Sequence, residues 1–169
     1  VEKYSANGKT LVSKSTVKKE LPIYGGYFSG KNNNYIVFGQ QNKSEKDSAE
    51  IVRIVKYSKS WSKISDCKIY GSNTTVPFDA GSLRMIELDG KLYVYTCHEM
   101  YADSNKLNHQ ANMLFTVDES TMKTTDSMYE VSNLQDGYVS HSFNQFIKTD
   151  GTYIYRVCLL YTSDAADEA

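Results

Sequence analysis

The chain repeats one pattern about every 60 residues. In each copy a short apolar run meets a glycine-containing turn, and an alternating run of aromatic and β-branched residues follows. The three copies lie at residues 27–39, 83–95 and 144–155. In the second and third copies the turn is Asp-Gly, and Gly90 and Gly151 are 61 positions apart. Because Asp-Gly between alternating runs is a strong signal for a tight antiparallel turn, each copy predicts a β-hairpin.

A second predicted hairpin follows the first two copies. Residues 49–64 alternate between apolar and polar side chains and reverse at residues 58–60. Residues 112–124 show the same pattern around a reversal at residues 118–120. A shorter pair of runs surrounds Gly8 at the start of the chain. The pattern therefore predicts four strands in each repeated unit, and no helix.

The segments between these units also repeat. Residues 21–26 (LPIYGG) match residues 76–81 (VPFDAG), and residues 138–142 (YVSHS) are a looser third copy. Four alternating strands per unit and a recurring linker are typical of β-propeller blades.

We therefore expect an all-β fold, and more specifically a β-propeller fragment of four-stranded antiparallel blades with about 60 residues per blade. The predicted units are the outer strands of a preceding blade (1–20), two complete blades (21–75 and 76–137) and the inner strands of a further blade (138–157). The ring is expected to be incomplete, because a closed ring needs at least about four blades. A β-sandwich is the alternative, and it predicts no internal repeat.

The charge balance argues against a nucleic-acid surface. Lys and Arg number 19 and Asp and Glu number 20, which gives a formal net charge of −1. A surface that binds phosphates needs a basic excess. No apolar run approaches the roughly 20 residues of a transmembrane helix, so we expect no membrane span in this segment.

The last residues differ in character from the rest. Residues 158–168 (CLLYTSDAADE) resemble one translated frame of a transposase sequencing adapter, which implies a non-native tail over residues 158–169. An ordinary acidic tail is the alternative.

With Cys158 set aside, Cys67 and Cys97 are too few for a disulfide framework and match no zinc spacing. We expect both to be small core-facing side chains.

Six strings of residues carry a resemblance to a known group of proteins. They lie at residues 35–40, 55–59, 78–84, 96–101, 108–113 and 140–146. Through them the segment from residue 21 to residue 157 resembles propeller-like regions of large secreted or surface proteins of Gram-positive, clostridial-type anaerobes. The resemblance implies a secreted or cell-wall-associated protein with further modules, and it implies no particular reaction.

Strand direction predicts where the polar residues gather. Successive strands of a blade run in opposite directions, so the linkers and the loops between second and third strands emerge at one end. The candidate ligand-binding residues at that end are Asp79, Arg84, His98, Glu99, His109 and His141. The stretch from residue 99 to residue 108 is expected to be a loop that folds over a neighbouring linker. The opposite end is expected to carry the turn residues Lys59, Asp89, Asp118 and Asp150.

The chemistry of this cluster leaves two interpretations open. Imidazole and carboxylate groups bind ligands or move protons, and Arg84 is able to hold an anionic group. Alternatively, the same groups form a buried network that ties blades together, above all Asp79 and His141. We predict no metal and no cofactor, because the spacing of His98 and His109 matches no standard ligand pattern. We assign no catalytic residue, since no nucleophile motif is present and Cys97 should point away from His98.

Two functions follow as hypotheses. The first is a non-catalytic binding or scaffolding propeller whose ligand is an extracellular carbohydrate or a surface protein. The second is a propeller-type hydrolase or lyase acting on extracellular polysaccharide. The second function needs two converging carboxylates, and Glu99 and Asp79 are the candidates, with His98 and Arg84 beside them.

Overall fold

Every regular element that the structure describes is a β-strand. A computed structural model describes residues 1–79, 82–128 and 142–160. The strands, in chain order, are β1 (Glu2–Tyr4), β2 (Leu11–Lys14), β3 (Ile23–Ser29), β4 (Asn34–Gly39), β5 (Glu50–Tyr57), β6 (Lys63–Tyr70), β7 (Val76–Pro77), β8 (Arg84–Leu88), β9 (Lys91–Ala102), β10 (Asn108–Asp118), β11 (Lys123–Met128), β12 (Ser142–Thr149) and β13 (Ile154–Leu160). Every pairing among them is antiparallel. The predicted all-β fold is confirmed.

The strands form four separate sheets. They are the N-terminal hairpin (β1–β2), sheet I (β3–β4–β5–β6), sheet II (β7 to β11) and the C-terminal hairpin (β12–β13). The strands of sheet I are ordered as they occur in the chain, and so are β8 to β11 of sheet II. None of these sheets closes on itself within the described residues. The predicted division into units at residues 21, 76 and 138 stays a prediction.

The Asp-Gly turn between β8 and β9 forms as the sequence predicts. Asp89 and Gly90 both have positive φ, at 51° and 72°. A two-residue hairpin turn of the type that matches strand twist requires this conformation at both positions. Pairing of Leu88 with Lys91 then sets the register of the whole β8–β9 hairpin.

The connection from β9 to β10 corrects one expectation. Residues 99–108 do not form a long loop over a linker, because β9 and β10 remain paired out to Ala102 and Asn108. Asp103 closes the short loop that remains: its carboxylate accepts from the amides of Asn105 and Leu107, at 2.8 and 2.9 Å. Because Asp103 binds the loop amides, the pairing of β9 with β10 extends farther than the alternating pattern predicts.

The linker before β8 pairs with sheet II as well, which the sequence pattern did not predict. Its residues 76–77 form β7, which pairs with the end of β9 on the same side as β8. The edge is interrupted after Pro77 by Phe78, whose φ is 63°. The Phe78 ring lies so close to Gly25 and Gly39 of sheet I that a Cβ at Gly39 would be 2.6 Å from Cε2. Two glycines of one sheet thus make room for an aromatic ring of the next.

Sheets I and II pack face to face through the largest apolar core. Sheet I contributes Tyr35 and Val37 of β4, and sheet II contributes Leu92 and Val94 of β9. Cys67 is buried in the same core, and Cys97 is buried on the other face of sheet II. Among the described residues neither cysteine forms a disulfide, and both are buried, as predicted.

Sheets I and II each bury a second face too. The other face of sheet I holds a cluster around Ile36 and Phe38 that Val17 of the linker helps to cover. The other face of sheet II packs on the C-terminal hairpin through Tyr95 and Ile147. Sheet II thus lies between sheet I and the C-terminal hairpin, whereas the second face of sheet I is covered by single side chains such as Val17 and Trp61. No helix long and apolar enough to cross a membrane occurs in the part of the chain that the structure describes.

Candidate functional site

The register of sheet II gives it two chemically different ends. The linker end is where β9 passes into β10, and it carries Asp79, His98 and Glu99. The turn end is the opposite one, where Lys91 pairs with Asp118 beside the Asp89 turn. This is the polarity that strand direction predicts. His141, the third predicted histidine, lies outside the described residues.

His98 lies inside the protein rather than in an open pocket. Its side chain is fully buried, and its Nδ1 is 2.7 Å from the hydroxyl of Thr74. Because that hydroxyl gives its single proton to the carbonyl of Ser72, Nδ1 of His98 is the donor. His98 therefore contacts the linker that leads into its own sheet, as expected, but through Thr74 and not through Asp79.

A pair of acidic residues lies on the opposite face of β9. The Asp79 carboxylate accepts a hydrogen bond from the Gln110 side chain, and the Asp79 carbonyl accepts from the Cys97 thiol at 2.6 Å. Glu99 is the cross-strand partner of Gln110. Partial burial raises the pKa of Glu99, and the negative charge of Asp79 raises it further. The structure thus brings two of the predicted residues, Asp79 and Glu99, into electrostatic contact.

Side-chain amides extend this acidic pair toward the C-terminal hairpin. Gln145 of β12 is fully buried, and its Nε2 donates to Asn112 of β10 at 3.1 Å. Its Oε1 accepts from the amide of Ser82 at 3.0 Å. We call Asp79, Glu99, Gln110, Asn112 and Gln145 the linker-end cluster. Sequence reasoning missed its three amides. Gln110 joins the acidic pair through the pairing of β9 with β10, and Asn112 meets Gln145 only because β12 stacks on sheet II.

Arg84 and His109 make other contacts. The exposed Arg84 guanidinium lies 5.8 Å from the centre of the Phe146 ring and donates to the Leu83 carbonyl. His109 lies at the start of β10, and its Nε2 is 3.1 Å from a carboxylate oxygen of Asp103 in the loop before that strand. The amide of Leu107 and then His109 hold the pKa of Asp103 below its ordinary value. Both residues lie at the border of the linker end. Arg84 contacts Leu83 and Phe146, and His109 contacts Asp103.

The linker-end cluster combines groups that suit polar, uncharged ligands. Carboxylates and amides in one place offer both donors and acceptors to hydroxyl groups. Burial and then the negative charge of Asp79 raise the pKa of Glu99, so this carboxyl group keeps its proton to a higher pH than a free glutamate does. Among the described residues, no three His, Cys, Asp or Glu side chains are arranged to hold a metal ion.

A second polar contact joins sheets I and II at the turn end, and no sequence pattern predicts it. Glu87 of β8 accepts from the Lys31 amide at 2.6 Å, and Glu119 accepts from the Tyr35 hydroxyl at 2.6 Å. The two carboxyl groups also contact each other. Burial and the proximity of Glu119 raise the pKa of Glu87, while the Lys31 amide and the charge of Lys59 oppose the rise.

Comparisons with protein-family models, with curated proteins and with solved structures gave no significant match for this chain.

Proposed function

We propose that this chain is a binding or scaffolding segment of a β-propeller, in which sheets I and II are successive blades. In this proposal the N-terminal hairpin belongs to a preceding blade and the C-terminal hairpin to a following one. The segment would act outside the cell, secreted or attached to the cell wall, as the resemblance to surface proteins of Gram-positive anaerobes implies. Its ligand would be an extracellular carbohydrate or a surface protein.

The observation that carries the proposal is the packing of other sheets on both faces of sheet II. In sheet II, Leu92 and Val94 pack on sheet I while Tyr95 packs on the C-terminal hairpin. A two-layer sandwich buries only one face of each sheet and leaves the other to solvent. Stacking on both faces, with strands in chain order, is what adjacent blades of a propeller require.

The linker-end cluster is the proposed binding site. Loops and linkers on one face of a repeated scaffold are where binding residues are usually found. The combination of Glu99 and Asp79 with the amides of Gln110 and Asn112 suits the hydroxyl groups of a sugar. Arg84 and Phe146 beside it add a cation and an aromatic ring, which favour stacking against a sugar face.

A binding assay on site variants tests this proposal. The whole chain is titrated with soluble bacterial and plant polysaccharides and sedimented with insoluble bacterial cell wall. We expect Glu99→Gln and Asp79→Asn to weaken binding at least about tenfold, since each replaces a charged acceptor that contacts the ligand. Asp126→Asn is the matched control, because Asp126 is an exposed acid on β11 of the same sheet. Equal binding by all three variants would refute the site.

One observation favours a second function, a hydrolase or lyase acting on extracellular polysaccharide. Glu99 has a raised pKa and lies in the field of Asp79, which is the pairing that general acid catalysis on a glycosidic bond uses. If this function is right, the whole chain releases new reducing ends or unsaturated ends from a polysaccharide, and Glu99→Gln abolishes the release while retaining binding. A chain that binds polysaccharide and leaves it intact would support the binding function instead.

A further inference from the structure

The linker-end cluster holds two carboxylates close together. Asp79 accepts a hydrogen bond from the Gln110 side chain, and Glu99 is the cross-strand partner of the same Gln110. Burial raises the pKa of Glu99, and the negative charge of Asp79 raises it further. Because both acidic residues are half-buried, solvent screens their repulsion less than it would on an open surface.

No Lys or Arg side chain balances these two charges. Neither Asp79 nor Glu99 belongs to an ion pair among the described residues. Residues 80–81, 129–141 and 161–169, which lie outside the described ranges, contain no Lys or Arg, so all 19 of these residues are in the described part of the chain. His141 is the one basic residue in the remaining segments.

Arg84 borders the cluster but does not neutralise it. Arg84 pairs with Tyr95, which precedes Glu99 by four positions on β9. At about 3.3 Å per residue, the two backbone positions are about 13 Å apart. Charges at the surface are screened over about 8 Å at physiological ionic strength. The Arg84 guanidinium lies instead near the Phe146 ring, 5.8 Å from its centre.

A ligand with both hydroxyl groups and a positive charge matches this arrangement. An ammonium group has three N–H donors, so it can donate to two carboxylates at once, and such charge-assisted hydrogen bonds are the stronger kind. The side-chain amides beside the carboxylates suit hydroxyl groups. A neutral sugar supplies the hydroxyl groups alone, and two carboxylates repel a sugar that carries an acidic group.

We propose that the carbohydrate bound at the linker-end cluster carries a protonated amine, as an amino sugar without an N-acetyl group does. The ammonium group binds the carboxylates of Asp79 and Glu99, and the amides of Gln110 and Asn112 bind neighbouring hydroxyl groups. This inference rests on the proposed binding function and adds the class of sugar. Phe146, which is 47% exposed, favours a sugar over the lysine side chain of a protein, because its ring offers a surface on which a sugar stacks.

Calorimetric titration of the whole chain with two matched ligands tests this inference. The ligands are a glucosamine hexasaccharide and its fully N-acetylated counterpart, used at slightly acidic pH and low salt. We expect the amine form to bind at least about tenfold more tightly, because its hydrogen bonds to the carboxylates are charge-assisted. The preference should shrink in Glu99→Gln and with added salt. Asp126→Asn, the exposed control on β11, should retain it.

Four results would overturn the inference. Equal binding of the two oligosaccharides, weakened alike by Glu99→Gln, would exclude the amine and leave the binding site in place. Binding of neither would overturn the proposed function as well. Tighter binding of a lysine-containing peptide than of the amine sugar would show that the site takes a protein. A preference that emerges only in His141→Gln would show that His141 already balances the two carboxylates.

A measurement on the unaltered chain gives the answer if Glu99→Gln fails to fold. The NMR signal of the Glu99 carboxyl carbon is followed against pH with each oligosaccharide in excess. An ammonium group beside the carboxylate favours its ionised form, so the amine sugar should lower the pKa of Glu99. The N-acetylated sugar should leave this pKa higher. The same pKa with both ligands would contradict the inference.

Discussion

Thr74 and Thr96 are both buried, and they differ in whether the hydroxyl has a partner. Thr74 Oγ1 is bonded to His98 and to the Ser72 carbonyl. Thr96 Oγ1, on the face of β9 toward sheet I, has no hydrogen-bond partner among the residues that the structure describes. A buried hydroxyl without a partner costs free energy, and a bonded one contributes to stability.

The same substitution at these two positions should therefore act in opposite directions. We expect Thr96→Val to raise the free energy of unfolding by about 1 kcal/mol, because it removes an unsatisfied group and keeps the shape. Thr74→Val should lower it by about 1–3 kcal/mol, since it removes the acceptor of the hydrogen bond from Nδ1 of the buried His98. Urea unfolding at neutral pH measures both. A destabilised Thr96→Val would show that its hydroxyl is bonded in solution.

Adding a Cβ atom at Gly39 tests whether the Phe78 ring lies against sheet I at this position. An added Cβ would meet the Phe78 ring at 2.6 Å and Pro77 Cγ at 2.8 Å. We expect Gly39→Ala to lower the free energy of unfolding by about 1–3 kcal/mol through overpacking. In a Phe78→Ala background the same change should cost less, by at least about 0.5 kcal/mol. An unchanged cost in that background would mean that the ring does not lie over Gly39.

At the scale of the element, alternation and turn chemistry predicted most of the strands. The Asp89-Gly90 turn and the alternating residues 50–57 needed no tertiary information, because period and turn type are local properties. The extension of β9 to Ala102 and the pairing of β7 were not predictable in this way. The extension of β9 depends on the hydrogen bonds of Asp103 in the loop. The pairing of β7 depends on the packing of the Phe78 ring against sheet I. Neither contact produces a periodic pattern in the sequence.

The contact of β8 with the turn after β10 should make stability depend on pH. Burial and then Glu119 raise the pKa of Glu87 in the folded chain above its ordinary value of 4.5. A raised carboxyl pKa stabilises the fold while the proton is bound, and that stability is lost as the pH rises through the folded pKa. We therefore expect Glu87→Gln, which stays neutral, to gain stability relative to the natural chain between pH 4.5 and neutral pH.

Thermal unfolding of both proteins across this pH range measures the difference. Asp89→Asn is the matched control, because Asp89 is an exposed acid in the next turn of the same hairpin. A difference between Glu87→Gln and the natural chain that stays constant with pH would contradict a raised pKa for Glu87 in the folded chain.

At the scale of the whole molecule, strand direction predicted which end each polar residue occupies but not which of them meet. Asp79 and Glu99 converge as the sequence suggested, whereas His98 is enclosed behind Thr74. The amides of Asn112 and Gln145 are 33 positions apart and meet only because one sheet stacks on the next. Which side chains meet between two stacked sheets depends on how the sheets pack, and local sequence patterns do not predict this.

Mapping a bound sugar onto the chain tests the proposed binding module most directly. Amide and side-chain NMR spectra are recorded while oligosaccharides released from bacterial cell wall are added to the whole chain. We predict that the shifts cluster at the linker end, in Asp79, Glu99, Gln110 and Asn112, and that the turn end stays unchanged. Shifts confined to Asp89, Asp118 and Ser120 at the turn end would contradict the proposal.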